Sequence, residues 1–311
     1  MKVLVTGGAG FIGSHVVEEL LNAQYDVVSI DNLVTGLQGN IPKDAKLYQL
    51  DLNDPDVEYV FELEKPDYII HLAAQTSVTA SMKDPFFDFY TNTVGTVKLL
   101  TLSEKYSIKK FVFASSAAVY GEPSSLPIDE NYLINPLSFY ALSKYSAENY
   151  INLVESNHGL NGCILRFSNV YGPRQNANGE AGVVSIIIKH LLTGEDVTIY
   201  GGGQTRDFIY VKDVANACRL ALEKQQNGVF NISSCTETSI EDLFNFIATT
   251  ANIHTTPAYE SKRRGEIERS MLDNSKAFQQ LDWRTKYSLS EGLKETFHYY
   301  SNLYSSEKDK K

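Results

Sequence analysis

Cysteine is scarce in this sequence and follows no binding pattern. The 311 residues include three cysteines, Cys163, Cys218 and Cys235, and no two of them form a Cys-x-x-C pair. An odd number without paired spacing argues against a disulfide framework and against a cysteine-ligated zinc site. The pattern predicts buried thiols in a reducing compartment, so the protein is expected to be cytoplasmic.

Long apolar runs and an excess of positive charge are also missing. No run reaches the length that spans a bilayer, and the first residues enter a strand directly, so neither a membrane segment nor a signal peptide is expected. The net charge of −10 argues against non-specific binding to nucleic acid. The six histidines are scattered along the chain, so no metal site is predicted.

What the sequence does contain is an ordinary globular composition with a regular alternation of elements. Hydrophobic residues make up 43% and charged residues 21% of the chain. Apolar strand patterns alternate with helix patterns from the start, which predicts a Rossmann-type α/β fold, a doubly wound parallel sheet with helices on both faces. A strand over residues 163–167 is expected to complete a core of seven strands.

This order loosens after residue 172, which indicates a second lobe. We predict a large α/β domain over residues 1–172, to which some later segments return. A smaller C-terminal α/β lobe over residues 173–304 is expected mainly to bind substrate. Residues 305–311 are charged and are expected to form a disordered tail.

A glycine-rich stretch follows the first predicted strand. Gly7 is expected to make the tight turn off the strand, Gly10 to let backbone amides reach a pyrophosphate, and Gly13 to let helix and strand pack closely. The N-terminus of the following helix would then hold the phosphates. A buried strand-turn-helix with small residues for packing alone gives a similar pattern.

Asp31 favours the dinucleotide interpretation of that stretch. It ends the next apolar run, over residues 27–30, where a nucleotide-binding domain places an acid. A carboxylate at this place binds the ribose 2′-hydroxyl of adenosine and repels a 2′-phosphate. NAD is therefore favoured over NADP.

Tyr140 and Lys144 stand four residues apart and share one face of a predicted helix. A tyrosine, with a reference pKa of about 10, is a poor base at neutral pH. A nearby lysine cation and a positive nicotinamide ring favour its phenolate. The plain alternative is a helix with one core tyrosine and one surface lysine. Ser116, at the end of the preceding strand, is placed to donate to the substrate oxygen whose proton Tyr140 removes.

Taken with the segments around them, these motifs resemble a known family. The sequence is similar to the extended short-chain dehydrogenase/reductases, and within them to the NAD-dependent nucleotide-sugar epimerases. The similarity covers nearly the whole chain. Its segments are residues 6–13, 31–33, 71–74, 115–121, 140–144, 166–174, 203–213 and 263–266.

The resemblance implies a bound NAD. The implied residues border the adenine, line the cofactor pocket or hold the nicotinamide ribose. They are Gly7, Gly10, Phe11, Ile12, Gly13, Asp31, Asn32, Asp51, Leu52, Leu72, Ala73, Ala74, Asn92, Ser115, Tyr140 and Lys144.

The resemblance also implies a UDP-sugar as substrate, with arginines whose planar forks suit a diphosphate. Surface ion pairs with the neighbouring acids Asp207 and Glu266 are the plain alternative for these arginines. The implied substrate residues are Ser116, Tyr140, Asn169, Val183, Val184, Thr198, Tyr200, Arg206, Arg263, Glu266 and Ser270.

Two alanines narrow the reaction that the resemblance implies. Related dehydratases carry Asp-Glu in the segment after this strand, and sugar decarboxylases carry a Glu before Val-Tyr-Gly. This sequence has Ala117 and Ala118 there, which cannot move protons. The reaction that remains is oxidation at C4, carried out by Ser116, Tyr140 and Lys144, followed by re-reduction from the opposite face. The expected enzyme is an isomerase, a nucleotide-sugar 4-epimerase.

Ser270 bears on the width of substrate choice. A basic loop is predicted over residues 261–269. In the family that the sequence resembles, a tyrosine five residues after the glycine of this loop is typical of members restricted to UDP-glucose and UDP-galactose. A small residue resembles the form that also accepts UDP-N-acetylglucosamine and UDP-N-acetylgalactosamine. Counting from Gly265 gives Ser270, whose volume leaves room for an acetamido group. A loop serine that faces solvent is the open alternative.

Other functions stay open. One is a different enzyme of the same family, such as a UDP-glucuronate epimerase, a dehydratase, or a reductase that releases its cofactor. Another is a non-enzymatic NAD-sensing module, although such a module has no need of Ser116, Tyr140 and Lys144 together.

A homodimer is the expected assembly. Long helices are predicted over residues 86–106, interrupted only by Gly95, and over residues 138–156. The resemblance implies that their apolar faces pair with a second subunit as a four-helix bundle.

Overall fold

The computed structural model describes residues 1–177, 182–262 and 267–308. Two 3₁₀ segments, Gln38–Asn40 and Ala117–Tyr120, and a π-helical turn, Tyr90–Val94, connect some of the elements. The strands are β1 (Lys2–Thr6), β2 (Asp26–Asp31), β3 (Lys46–Gln49), β4 (Tyr68–His71), β5 (Lys110–Ser116), β6 (Gly162–Phe167), β7 (Asn169–Tyr171), β8 (Thr198–Tyr200), β9 (Thr205–Tyr210), β10 (Gly228–Ile232), β11 (Glu237–Ser239) and β12 (Ala258–Glu260). The helices are α1 (Phe11–Asn22), α2 (Val57–Glu64), α3 (Val78–Lys83), α4 (Pro85–Phe89), α5 (Gly95–Lys105), α6 (Phe139–His158), α7 (Val183–Thr193), α8 (Val211–Glu223), α9 (Ile240–Ala251), α10 (Ser275–Leu281) and α11 (Leu289–Lys308).

Seven parallel strands form the main sheet, in the order β10-β6-β5-β4-β1-β2-β3. The predicted Rossmann-type fold is confirmed. The expected place of the seventh strand is wrong, because only β1 to β6 precede residue 168. The seventh strand is β10, which returns from residues 228–232 to pair with β6. Such a pairing joins segments far apart in the chain, so no local pattern indicates it.

Side chains of the sheet pack into two apolar cores, one on each face. Along β1, Val3 and Val5 face the core that α1 and α8 cover, whereas Leu4 faces the core that α2, α5 and α6 cover. All three are fully buried. Burial on both faces explains why this strand has a continuous apolar sequence rather than an alternating one.

A smaller lobe carries its own sheets and core. Strand β9 pairs in parallel with β7 and antiparallel with β11, while β8 and β12 form a separate parallel pair. Helices α7, α9 and α11 cover a third apolar core that contains Ile188, Phe208, Phe244 and Leu293.

Three local predictions need correction. The helix expected over residues 86–106 is interrupted by the π-helical turn and not at Gly95, which is the first residue of α5. Helix α11 continues to Lys308, so residues 305–308 are helical where a disordered tail is expected. Cys163 and Cys218 are buried as predicted, but Cys235 is only half-buried.

Within the described ranges, every helix is too short or too polar to cross a bilayer. The loops that matter for function lie at one edge of the main sheet. Because all seven strands are parallel, their carboxyl ends meet at that edge, where open α/β sheets bind their ligands.

Candidate active site

The glycine-rich loop joins β1 to α1 at the carboxyl edge. Gly7 has a φ of +72°, and a Cβ on it would lie 2.7 Å from the backbone nitrogen of Ala73. A Cβ on Gly13 would lie 2.0 Å from the carbonyl oxygen of Gly7. Both positions therefore require glycine. Gly10 caps α1 without a side-chain hydrogen bond, so no cap side chain occupies the first amides of the helix, those of Phe11 and Ile12 among them.

Asp31 ends β2 beside this loop and is 7% exposed. Its Oδ2 accepts a hydrogen bond from the amide of Ala9 at 2.9 Å, and its Oδ1 accepts one from the amide of Leu33 at 2.8 Å. These bonds fix the carboxylate against the loop while each oxygen retains a lone pair for another donor. This placement supports the predicted ribose contact.

The predicted adenine end lies next to Asp31. Exposed Asn32 donates to Asp51 Oδ2 at 2.9 Å, which ties the loop after β2 to the loop after β3. Leu52 is buried and lies against Gly95, where a Cβ would be 3.6 Å from it. The structure therefore brings these predicted cofactor residues together.

The segment after β4 is held against the glycine loop through Thr6. The Thr6 hydroxyl accepts hydrogen bonds from the amides of Leu72 and Ala73, both at 3.2 Å. The hydroxyl also lies 2.7 Å from His71 Nδ1. Leu72, Ala73 and Ala74 are half-buried, so their exposed parts line the same edge as Gly7.

The residues predicted to react lie together. Tyr140 and Lys144 are one turn apart on α6, and Ser116 ends β5. Lys144 is 4% exposed, which contradicts the surface-lysine alternative, and its ammonium donates to the carbonyl oxygen of Ala114 at 2.9 Å. Ser116 is close enough to half-buried Tyr140 to influence its pKa, and its hydroxyl accepts from the amide of Ala118 at 3.2 Å.

Burial shifts the pKa values of this pair in opposite directions. It raises the pKa of Tyr140 above its ordinary value; the Ser116 hydrogen bond opposes this shift, and the charge of Asp88 adds to it. Burial lowers the pKa of Lys144 to about 8, although the charges of Asp88 and Glu148 favour its protonated form. In the protein alone, burial is the largest influence on the pKa of Tyr140 and Lys144 is not among the groups that shift it, so Tyr140 is a neutral phenol.

A hydrogen-bond network lies behind the reacting pair and is centred on Asn92, which the resemblance assigns only to the cofactor pocket and which is 2% exposed. Asn92, in the π-helical turn, accepts from the Gln75 amide at 2.8 Å and donates to Ser143 Oγ at 3.1 Å and to Asp88 Oδ1 at 3.2 Å. Ser143 in turn donates to the carbonyl oxygen of Tyr140 at 3.0 Å. Asn92 thus holds the reacting turn of α6. The sequence signal was weak: Asp88 and Asn92 stand one helical turn apart.

A buried ion pair supports the end of β5 from the other side. Arg166 donates to Glu148 Oε1 at 3.0 Å and to Oε2 at 2.6 Å, and to the Tyr120 hydroxyl at 2.9 Å. The Ser115 hydroxyl also donates to Glu148. The Ser115 side chain is therefore committed to this network.

Four of the predicted substrate residues lie on strands of the smaller lobe. Asn169 is exposed at the start of β7, and Thr198 and Tyr200 are half-buried on β8. Arg206 is half-buried on β9 and donates to the Thr205 carbonyl oxygen at 2.8 Å.

Two predictions for the substrate side change with the structure. Val183 is half-buried, but Val184 is 1% exposed inside the third core, so its side chain cannot contact a substrate. Asp207 is fully buried and accepts hydrogen bonds from Ser234, Cys235 and Leu272, which argues against a surface ion pair with Arg206.

The remaining substrate predictions concern the basic loop. Arg263 and Glu266 lie outside the described residues. Ser270 is half-buried, two residues before Leu272, which pairs with Ile128.

The carboxyl edge fits a dinucleotide. Glycines leave no space for a Cβ, the N-terminus of α1 has no side-chain cap, and Asp31 is fixed at the end of the neighbouring strand. The loop and Asp31 would hold the adenosine and pyrophosphate portions. Lys144 would face the nicotinamide ribose.

The sequence profile of the NAD-dependent epimerase/dehydratase family matches residues 3–233, and the chain belongs to this family. The predicted resemblance is confirmed, and with it NAD as the cofactor.

Named relatives place the chain among proteins described as epimerases. It is 38% identical to a UDP-glucose 4-epimerase of Mycolicibacterium smegmatis over 310 residues, 97% of this chain and 99% of the relative. A crystal structure of a UDP-glucose 4-epimerase from Thermotoga maritima with UDP-glucose superposes with a TM-score of 0.95 at 42% identity, covering 98% of this chain and 100% of that one. A UDP-N-acetylglucosamine 4-epimerase from Methanobrevibacter ruminantium in complex with UDP-N-acetylmuramic acid gives 0.93 at 36% identity, with 97% and 98% covered.

Proposed function

We propose that this protein is a UDP-sugar 4-epimerase that acts on UDP-glucose and UDP-galactose and also on their N-acetylated counterparts. The observation that carries the proposal is the cluster of Ser116, Tyr140 and Lys144 beside a dinucleotide-binding loop. The relatives described above also support the proposal, because one is named as a UDP-glucose 4-epimerase and another as a UDP-N-acetylglucosamine 4-epimerase.

The proposed chemistry needs one base and one redox partner. Tyr140 takes the proton of the C4 hydroxyl, and Ser116 donates to the same oxygen and so orients it. Bound NAD would supply the acceptor of the C4 hydride and the donor for its return. Lys144, a buried cation, would hold the ribose and stabilise the Tyr140 phenolate. The 4-keto sugar would turn over between the two hydride transfers, and Tyr140 would give its proton back to the C4 oxygen, so no net oxidation would occur.

The protonation state of Tyr140 depends on the charge of the loaded site. In the protein alone the phenol is neutral, because burial raises a pKa that is already about 10 for a free tyrosine. A bound nicotinamide ring brings a positive charge into a water-poor site, where its effect on a phenolate is large. Tyr140 therefore becomes an effective base only when the cofactor is in place.

Elimination of water or carbon dioxide is disfavoured at this site. Ala117 and Ala118 begin the 3₁₀ segment after Ser116 and offer no acid or base. Simple oxidation and re-reduction at C4 fit the groups that are present.

We assign the substrate diphosphate to the smaller lobe. Arg206 and Arg263 would meet phosphate oxygens with paired N–H donors, and Asn169 and Tyr200 would complete the contact. Ser270 would flank the substituent at C2 of the sugar.

The direct test incubates the protein with UDP-glucose, UDP-N-acetylglucosamine or UDP-glucuronate and resolves the C4 epimers by NMR. We expect epimers of the first two and no net NADH. Epimerisation of UDP-glucuronate alone would assign the uronate reaction instead, and stoichiometric NADH release would identify a reductase.

Tyr140→Phe tests the assigned base. We expect kcat to fall by about 10²–10⁴, the usual share of a general acid–base, because the C4 proton loses its acceptor. The amount of NAD that co-purifies, measured after denaturation, should stay the same. A variant with wild-type turnover would refute the assignment.

We also propose a homodimer formed through a four-helix bundle. Large apolar side chains are exposed on adjacent helices: Phe86 and Phe89 on α4 are 75% and 50% exposed, and Leu142 and Leu153 on α6 are 49% and 58% exposed. Several large exposed apolar side chains on two helices that contact each other support burial against a second copy.

A further inference from the structure

Asp88 is a buried carboxylate to which neither the sequence argument nor the proposed chemistry assigns a role. It is 1% exposed, although its neighbours Phe87 and Phe89 on α4 are each half exposed. Gln75 Nε2 donates to its Oδ1 at 2.7 Å, and Asn92 reaches the same oxygen. Its Oδ2 is buried and has no hydrogen-bond partner within the described ranges. A buried carboxylate oxygen without a donor is costly, so its presence calls for an explanation.

The charges around Lys144 supply that explanation. Asp88 on α4 and Glu148 on α6 are the two carboxylates whose fields act on the lysine. Glu148 is neutralised by its ion pair with Arg166. His71, facing Lys144 from β4, is neutral because burial and the lysine charge lower its pKa to about 3. Of the two carboxylates that act on the lysine, Asp88 is therefore the one that no ion pair among the described residues neutralises.

The same carboxylate is linked to the reacting turn by hydrogen bonds. The side-chain amide of Asn92 donates to Asp88 and to the Ser143 hydroxyl. Ser143 then donates to the carbonyl oxygen of Tyr140. A change at Asp88 can therefore alter both the geometry and the field at the reacting pair.

We propose that Asp88 is a positioning residue that braces the Tyr140–Lys144 turn through Asn92 and Ser143 and supplies the negative charge that balances the buried Lys144 ammonium. The proposal rests on the proposed function, in which Tyr140 and Lys144 carry the reaction.

The charge is tested by Asp88→Asn, which keeps the Oδ1 acceptor and removes the negative charge. Proteins labelled with ε-¹³C lysine are titrated by NMR, and the Lys144 signal is identified by its loss in Lys144→Met. We expect the Lys144 midpoint to fall by roughly 0.5–1 pH unit, because the charge that favours the ammonium is gone. The matched control is Asp84→Asn, the same change one turn earlier on an exposed cap of α4, which should leave the midpoint unchanged.

The kinetic readout is the pH profile of epimerisation. The Asp88 charge raises the pKa values of both Tyr140 and Lys144, so its removal should move the acidic and the basic limb to lower pH together. A lower kcat with unmoved limbs, or an unmoved Lys144 midpoint, would overturn the charge role. A wild-type protein without epimerase activity would refute the proposed function instead, while the NMR titration still decides the charge at Lys144.

The bracing half of the proposal has its own variant, which also serves if Asp88→Asn does not fold. Ser143→Ala removes the hydroxyl between Asn92 and Tyr140 and leaves every charge in place. We expect a kcat roughly tenfold lower at unchanged KM, with both pH limbs unmoved. Wild-type kcat in this variant would contradict the brace.

Discussion

His71 shows how burial controls the charge of a single residue in this protein. The imidazole lies between the hydroxyls of Thr6 and Thr96, and burial lowers its pKa to about 3. The neutral form is thus favoured in the folded state. Above the unfolded-state pKa of about 6.5, His71 is neutral in both states and the stability is independent of its protonation. As the pH falls from 6.5 towards 3, only the unfolded state takes up this proton, so the free energy of unfolding decreases by about 1.4 kcal/mol per pH unit.

His71→Asn should therefore flatten the acid side of the stability profile. The variant is expected to be less stable at pH 7, because packing is lost, yet its free energy of unfolding should fall less between pH 6.5 and 4. Urea unfolding across that range measures both effects. Exposed His298→Asn is the control; if it flattens the profile equally, His71 is not the responsible group.

Ser270 carries the prediction on substrate width. Ser270→Tyr adds a ring beside the proposed C2 substituent, so turnover of UDP-N-acetylglucosamine should fall roughly tenfold or more relative to UDP-glucose. The ratio of the two kcat/KM values is the measurement. An unchanged ratio would mean that Ser270 faces solvent.

At the scale of elements, the turn from β1 to α1 depends on glycine. In Gly13→Ala the new Cβ would press on the Gly7 carbonyl oxygen, 2.0 Å away. We expect the free energy of unfolding to fall by about 1–3 kcal/mol and the content of bound NAD to drop. Gly39→Ala, where a Cβ would meet nothing within 4 Å, should change neither. Thermal unfolding and NAD quantification of both variants decide this.

The elements also show what local sequence can predict. The strand-loop-helix at residues 2–22 and helix α6 carry their own period and breakers, so their positions follow from the sequence. The π-helical turn at Tyr90–Val94 does not, because it is set by the bonds of Asn92 to Gln75 and Ser143. Burial of Val184 likewise depends on helices α9 and α11 packing over it.

The residues of the candidate active site also fall into two groups, those that local spacing predicts and those that only the fold brings together. Tyr140, Lys144 and the glycines were predictable because their spacing is local. Asp88 and Arg166 contribute through Gln75 and Glu148, which lie 13 and 18 residues away in the chain, and only the assembled fold brings these partners close.

At the scale of the whole molecule, the exposed apolar surface of α4 and α6 predicts the assembly. Leu153→Glu places a charge in the proposed bundle and should shift the mass in solution from a dimer towards the 34.7 kDa monomer. Light scattering after size exclusion measures the mass. Phe246→Glu, a similarly exposed apolar residue on α9, is the control; a wild-type monomer would refute the bundle.

The return of β10 to the main sheet has a consequence for how this protein can be divided. In a polypeptide truncated at residue 172, β6 would become an unpaired edge strand of the sheet. Its residues, which are buried in the intact fold, would be exposed to solvent and could pair with another chain. We therefore expect a polypeptide that ends at residue 172 to aggregate or to fail to fold unless residues 228–232 are supplied with it.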